Sequence, residues 1–142
     1  MEKKRKILEF FKKNVLCVLA THDSEHNKPE CAVIVFTETE NFEIIFGCLN
    51  NARKYGYLQK NPKVAFSIGW NGEENITVQY EGVAKEVTGV EFEQCRDINL
   101  KKNPSSKKFA FLPEQRYFRV QPTWIRYSDF SKNPIEEFEI KF

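Results

Sequence analysis

The feature that most limits the possible folds is a series of short runs, rich in β-branched and aromatic residues, that are separated by polar turns. Runs of this kind predict β-strands. The connections between several of them are too short for the crossover that parallel strands need, so neighbouring strands are expected to be antiparallel. In an open sheet, six or seven apolar strands would leave unpaired edge strands that can associate with other chains. A small closed or partly closed barrel avoids most of those edges.

The strands are expected at residues 15–23, 31–37, 42–48, 63–70, 75–88, 115–130 and 134–142. The run CAVIVFT at 31–37 lacks polar alternation, which predicts a strand buried on both faces, with 42–48 as its hairpin partner. Asn71 and Gly72 predict a turn. The strand at 115–130 is expected to break near Pro122, and residues 134–142 are expected to form an edge strand.

Helices are expected at residues 2–13, from about 51 to 60, and at 89–101, with an exposed loop over 102–108. The first helix has one apolar stripe and a basic face, which predicts packing on one side and solvated lysines on the other. The second ends at Asn61, because a residue before proline avoids the α region. The fold class is therefore mainly β, with short peripheral helices.

Composition narrows the function without naming it. A chain of 142 residues with 41% hydrophobic content predicts one packed domain over 1–142. The net charge of +2 argues against a dedicated nucleic-acid binder, although four lysines between Lys101 and Lys108 leave a weaker alternative of a nucleic-acid patch. No signal peptide or membrane span is recognisable, so a soluble cytoplasmic protein without membrane contacts is expected.

Side chains that could bind metal or act as nucleophiles form no familiar arrangement. The four cysteines show no zinc-like spacing and predict reduced thiols. His22 and His26 straddle a strand end and a loop without further ligands, so no metal site is expected. Cys48 has no histidine placed by the sequence to activate it, and a buried thiol is the preferred interpretation.

The second helix carries cations at an unfavourable end. Arg53 and Lys54 fall in its first turn, where the helix macrodipole disfavours positive charge, and no Asp or Glu occurs from Ile44 to Gly72. A helix N-terminus with added cations is a ready site for phosphate. The alternative, in which both side chains simply extend over the surface, fits the residues equally well at this point.

The order of these motifs resembles a known family. Asn51 to Lys54 read N-x-R-K, the helix ends L-x-x-N-P-x-V-A, and a later strand contains V-Q-Y-E-G. Together they resemble the pyridoxamine 5'-phosphate oxidase-like family of FMN-binding split β-barrels. The similarity runs from about Val15 to Val87, with a weaker match in FRVQPTWIRYSDF. The resemblance implies a split barrel, and a homodimer with FMN at the subunit interface.

The resemblance also implies the residues of the cofactor site. The implied positions are Ala32, Val33, Ile34, Val35, Thr37, Cys48, Asn51, Arg53, Lys54, Thr77, Gln79, Trp124 and Arg126. Arg53 and Lys54 would hold the phosphate. Ala52 stands where the family has a serine, so one phosphate hydrogen bond is either missing or supplied by Asn50 or Asn51.

The remaining positions would surround the flavin ring. Strand 32–35 would contact it through backbone groups, and Cys48 falls where threonine is common. Thr77 and Gln79, two residues apart, share one strand face and would reach the ring from the far side. Trp124 and Arg126 resemble residues of the second subunit, although a tryptophan there also fits core packing.

The resemblance predicts a small FMN-dependent oxidoreductase with an unknown small-molecule substrate. No residue is identified as a catalytic acid or base. The vitamin B6 oxidases carry an Arg-x-His motif near the C-terminus, whereas no histidine follows His26 here, so pyridoxamine phosphate is not the expected substrate. The alternative is a non-catalytic binding or sensing protein that holds FMN, deazaflavin F420 or heme, since fold alone does not determine the cofactor.

Overall fold

The helices and strands follow the predicted order closely in the computed structural model, which describes residues 1–70 and 74–142. The strands are β1 Leu16–Asp23, β2 Lys28–Val35, β3 Thr37–Glu38, β4 Ile44–Leu49, β5 Lys63–Ile68, β6 Ile76–Val87, β7 Gln115–Asp129 and β8 Glu136–Lys141. The helices are α1 Glu2–Lys13, α2 Arg53–Lys60, α3 Gly89–Lys102 and α4 Lys107–Ala110, with a 3-10 turn at Pro104–Ser106. The predicted turn at Asn71 and Gly72 lies outside the described residues.

The strands form one antiparallel sheet in the order β2-β1-β5-β6-β7-β4-β3. Its central pair is β6 and β7, the two longest strands. The first half of β7 also pairs with β4, and the second half pairs with β8, so two different strands share one side of β7. The sheet curls into a half-barrel, which confirms the predicted antiparallel split β-barrel with short peripheral helices.

Pro122 marks the point at which β7 changes partners, without ending the strand as the sequence predicted. The register between β6 and β7 shifts at Glu81 and Gly82, where Pro122 faces Gly82. A Cβ atom on Gly82 would lie 2.5 Å from the Gln121 carbonyl oxygen, so only glycine permits this close approach. The irregularity lets β7 remain continuous from one end of the sheet to the other.

Aromatic side chains fill the concave side of the sheet. Phe46 stacks on Phe118 with ring centroids 5.3 Å apart. The Tyr80 hydroxyl donates to the Phe42 carbonyl at 2.8 Å and also lies 3.2 Å from the Val120 carbonyl oxygen. The helix α1 buries Ile7, Phe10 and Phe11 in the same core, as its apolar stripe predicts. Within the described residues no helix combines the length and apolar character that crossing a bilayer requires.

Strand β2 differs from its prediction in burial and pairing. The run at 31–37 was expected to be buried on both faces, yet the Val33 residue is 66% exposed and Cys31 is also exposed. The strand forms an edge of the sheet and pairs with β1, while only Thr37 and Glu38 pair with β4 as the expected hairpin. Within the described chain, no other layer covers the outward face of Val33. A cover from outside the single chain would account for the continuous apolar run.

Two further boundaries differ from the sequence-based expectation. Helix α2 begins at Arg53 with Ala52 as its N-cap, slightly later than residue 51. The segment 102–108, expected to be an exposed loop, contains a 3-10 turn and the start of α4. Asn103 is buried and donates from its side-chain amide to the Phe36 carbonyl at 3.0 Å. This hydrogen bond fixes the segment against the barrel, which the polar composition of KNPSSKK did not reveal.

Candidate functional site

The N-terminus of α2 has no side-chain cap. Ala52 occupies the N-cap position, makes no side-chain hydrogen bond to the helix, and is followed by a first turn without acidic residues. An N-cap Ser, Thr, Asp or Asn would satisfy one of the free backbone N–H groups there. With alanine at this position, those N–H donors are free of side-chain capping and can serve an external anion.

A cavity of about 250 Å³ opens beside this helix end and is called the α2 cavity below. Its lining comes from four places: the barrel strands, the start of α2, helix α3, and α4 with the 3-10 turn before it. The lining residues are Val35, Gly47, Cys48, Leu49, Ala52, Lys54, Asn99, Ser106, Phe109, Gln115 and Tyr117. Lys54 is the one cation among them, so the cavity combines a point charge with a helix N-terminus.

Cys48 lies in the wall of the α2 cavity as a neutral thiol. Its Sγ donates to the Leu49 carbonyl at 3.4 Å, and the residue is buried. Burial raises the pKa of the Cys48 thiol, although the charge of Lys54 opposes the shift. A raised pKa keeps the nucleophilic thiolate scarce at neutral pH. Cys48 therefore acts as a wall residue, in line with the preferred interpretation from the sequence.

Gln115 and Tyr117 are cavity residues that the sequence-based prediction missed. The buried Gln115 side chain donates from Nε2 to the Arg116 carbonyl at 3.0 Å. A Cβ atom on Gly47 would collide with Gln115 Nε2 and lie 3.2 Å from Tyr117 Cε1. Glycine inside a strand often marks a close approach of this kind. Gly47 in the run FEIIFGC was therefore the sequence signal that another part of the chain packs closely here.

Arg53 and Lys54 diverge in the structure. Lys54 lines the α2 cavity, whereas Arg53 extends over the surface and its Nη2 lies 3.0 Å from Glu30 Oε2 on β2. Along the chain from Ile44 to Gly72 no carboxylate offsets these cations, as expected. In the folded protein, however, the Glu30 carboxylate lies beside Arg53. The sequence does not reveal this partner, because Glu30 is distant from Arg53 along the chain and only folding brings the two side chains together.

The other predicted residues form a second group on the convex side of the sheet. Gln79 lies directly across from Arg126, and Glu81 from Trp124. The Arg126 guanidinium lies 5.2 Å from the centre of the Trp124 ring, and its Nη2 lies 2.7 Å from Glu139 Oε1. A groove of about 290 Å³ is lined by this face, including Gln79 and Trp124. Thr77 shares the face, which confirms the predicted alternation along β6.

The convex groove is distinct from the α2 cavity in one chain. The two linings have no residue in common. Val35, Cys48 and Lys54 are brought together at the α2 cavity, while Gln79 and Trp124 belong to the convex groove. The predicted cofactor residues therefore divide between two separate places on one chain.

The remaining predicted positions lie around these two sites. Ala32 and Ile34 face the same side as the buried Leu19 and Cys17, while Val33 faces outward opposite Val18. Thr37 is buried and donates from its hydroxyl to Asn99 Oδ1 at 2.9 Å, directly behind a wall residue of the α2 cavity.

The last candidate side chains are Asn51, the histidines and the cysteines. Asn51 is exposed just before α2. His26 contacts Asp23 through Nδ1 at 2.8 Å, and within residues 1–70 and 74–142 no three His, Cys, Asp or Glu side chains are grouped to hold a metal ion. All four cysteines are free thiols.

Comparison with known proteins supports the assignment of the fold. The sequence profile of the family described as Pyridoxamine 5'-phosphate oxidase matches residues 4–129. A search of curated proteins finds no match. Among solved structures, General Stress Protein 26 from Bacillus anthracis is similar with a TM-score of 0.78 and 21% identity, covering 100% of both chains.

Two similar structures are described as heme proteins. The heme binding protein from Mycobacterium smegmatis has a TM-score of 0.79 and 16% identity, and the match covers 96% of this chain and 56% of that one. The heme storage protein HutZ from Vibrio cholerae has a TM-score of 0.73 and 17% identity, covering 96% and 92%. At these identities the likeness shows a shared fold. The chain spans just over half the length of the mycobacterial protein.

Proposed function

Because the chain belongs to the pyridoxamine 5'-phosphate oxidase family, we propose that it binds FMN and acts as a small FMN-dependent oxidoreductase. The observation that carries the proposal is the uncapped N-terminus of α2, which meets Lys54 at the edge of the α2 cavity. Phosphate suits this place because backbone N–H groups and a cation converge there without a carboxylate in the lining.

The residues present fit the phosphate end of FMN and part of its remainder. The α2 cavity, at about 250 Å³, lies just below the range of pockets that enclose a whole ligand, about 300–1,000 Å³. In this proposal one chain holds a portion of the molecule and a second chain completes the site. Thr77, Gln79, Trp124 and Arg126 are the residues we assign to that second contribution.

Each part of the chain would have a distinct task. When bound, FMN supplies hydride or single-electron transfer. Lys54 and the α2 N-terminus would bind its phosphate, and Gln115, held in place beside Gly47, would orient a polar edge of the ligand. Cys48 and Tyr117 would exclude water from the cavity. No side chain is assigned as a catalytic acid or base.

The partner in this proposal is a second copy of the same chain, with residues 1–142 acting as one cytoplasmic unit. The convex face presents Val33 with 66% of its surface exposed, beside the small side chains Ala20 and Ala65 on neighbouring strands. Small residues permit close approach of another protein surface, and exposed apolar residues favour contact with such a surface. A twofold contact over this face would bring the convex residues of one chain to the α2 cavity of the other.

Val33→Glu is expected to shift the dimer towards monomer. Two copies of Val33 would each lose apolar burial and place a carboxylate in the contact, raising the dimer dissociation constant by at least about tenfold. Sedimentation or light scattering measures the mass. Phe111→Glu, which changes an equally exposed side chain after α4, is the matched control and should leave the mass unchanged. A dimeric Val33→Glu variant would contradict this interface.

The substrate is expected to differ from pyridoxamine phosphate. The chain contains no histidine after His26, so the histidine of the vitamin B6 oxidase motif is absent from the sequence. The test of catalysis is direct. The purified protein loaded with FMN is mixed with NADH or NADPH under nitrogen, and bleaching of the flavin absorption followed by reoxidation with candidate acceptors identifies turnover.

A cofactor-binding protein without turnover is the alternative, because two structural relatives are described as heme binding or heme storage proteins. The absorption spectrum and mass of the compound that copurifies distinguish the candidates. Oxidised flavin bands with the mass of FMN support the proposal. A Soret band would overturn it in favour of heme, and the mass of F420 would replace FMN by a deazaflavin. A flavin that no donor reduces would favour the non-catalytic alternative.

A further inference from the structure

We infer that Glu30 controls the affinity of the phosphate site by pairing with Arg53. The Arg53 side chain becomes available to the ligand only when a phosphate displaces Glu30 as its partner. This inference rests on the proposed binding of FMN phosphate at α2. It assigns to Glu30, a residue outside the α2 cavity, the role of a specificity-determining competitor for one of the two phosphate cations.

The geometry of the pair carries the inference. Arg53 Nη2 lies 3.0 Å from Glu30 Oε2, within hydrogen-bonding distance for a charged pair. The side chains are unequal in freedom, because that of Arg53 is 72% exposed and that of Glu30 only 18%. Glu30 is therefore fixed on β2, opposite Thr21 of β1, while the long arginine side chain can exchange partners.

Arg53 lies where it can pair either with Glu30 or with a bound phosphate. It is the first residue of α2, adjacent to Lys54, which lines the cavity. A phosphate bound at the helix N-terminus would lie next to the backbone of Arg53 and could recruit its guanidinium in a bidentate arrangement. Recruitment breaks the pair with Glu30, so part of the attraction between Arg53 and phosphate is cancelled by the lost pair.

The competition selects ligands by charge. A phosphate monoester carries a charge of about −1.5 to −2 at neutral pH and offers three acceptor oxygens, whereas Glu30 carries one negative charge. A dianion can outcompete the carboxylate for Arg53. A ligand without phosphate cannot, and gains nothing from Arg53. Glu30 thereby weakens binding of any phosphate ligand somewhat while preventing weaker anions from occupying the site.

The test is a double-mutant cycle on ligand affinity. FMN and riboflavin, which lacks the phosphate, are titrated against the full chain and against Glu30→Gln, Arg53→Ala and the double variant, with flavin fluorescence as the signal. Glu30→Gln is expected to tighten FMN binding by about threefold to fivefold, the value of an exposed ion pair, and to leave riboflavin unchanged. The gain should vanish in the Arg53→Ala background, because nothing remains to be released.

A matched variant tests for a general effect of charge. Glu25→Gln removes a carboxylate from the same hairpin, where Glu25 lies 3.9 Å from Lys60, and it should leave FMN affinity unchanged. Thermal unfolding of Glu30→Gln confirms that the fold is retained.

The other outcomes overturn the inference in distinguishable ways. If the gain from Glu30→Gln persists without Arg53, Glu30 acts by direct repulsion of phosphate, and the competition does not exist. If Glu30→Gln binds FMN as the unaltered chain does, the inference is wrong while the proposed function stands. If the unaltered chain binds no FMN, the proposed function and this inference both fail.

Discussion

Replacing Arg53 and Lys54 together by alanine is expected to weaken FMN binding by about 2–4 kcal/mol, or roughly 30- to 1,000-fold in Kd. Each cation can make charge-assisted hydrogen bonds to the phosphate, and the uncapped helix N-terminus remains in the variant to hold some affinity. Fluorescence titration with FMN measures the loss. Riboflavin, which has no phosphate, is expected to bind the variant and the unaltered chain equally.

The single variants should divide this loss unequally. Lys54 lines the α2 cavity, whereas Arg53 is already engaged by Glu30, so Lys54→Ala is expected to cost more than Arg53→Ala. Lys60→Ala provides the control, because Lys60 is an exposed lysine at the other end of α2. Retention of FMN at unaltered affinity by the double variant would refute the phosphate assignment.

Lys102→Met is expected to destabilise the protein by about 3 kcal/mol in the free energy of unfolding. Lys102 Nζ lies 2.5 Å from Glu38 Oε1, and the side chains are only 14% and 13% exposed. The same Nζ donates to the Phe11 carbonyl at 2.9 Å. Methionine fills a similar volume but leaves the largely buried Glu38 carboxylate without its Lys102 partner. Urea unfolding measures the change, and Lys101→Met, an exposed neighbour on α3, should change it little.

A second substitution should recover most of this loss. Burial lowers the pKa of Lys102, although the hydrogen bond and charge of Glu38 oppose the shift. Taking two charges out of water is costly, so two apolar side chains of similar volume could replace the pair at little cost. Lys102→Met combined with Glu38→Leu is expected to restore most of the lost stability. If the double variant is as unstable as Lys102→Met, the buried carboxylate is not the cause.

This ion pair also bears on the candidate site. It joins the end of α3 to β3, and α3 supplies Asn99 to the wall of the α2 cavity. Asn103, one residue after Lys102, donates to Asn99 Oδ1 at 3.1 Å and so links the same wall to the barrel. Loosening the end of α3 would therefore disturb the cavity as well as the stability of the chain.

Local pattern was sufficient where the cause of a structure is local. The alternation along β6 placed Thr77 and Gln79 on one face, because side chains of a strand alternate regardless of what covers them. The presence of α2 and the position of Lys54 in its first turn followed from its neighbours along the chain. The antiparallel barrel followed from many short apolar strands with short connections.

The missed features depend on contacts between distant residues. The run at β2 has the composition of a buried strand, but its place at a sheet edge is set by pairing with β1. The pair of Arg53 with Glu30 joins residues 23 positions apart along the chain, and the packing of Gln115 against Gly47 joins residues 68 positions apart. A single sequence read in local windows carries little information about such pairs.

The continuous strand β7 gives the proposed assembly an unusual genetic property. Its first half supplies Gln115 and Tyr117 to the α2 cavity, and its second half presents Trp124 and Arg126 on the convex face. In the proposed dimer, one β7 strand would therefore take part in both cofactor sites. Two damaged copies of the gene, one altered at each end of β7, could then complement each other, because a mixed dimer would contain one site built entirely from undamaged halves.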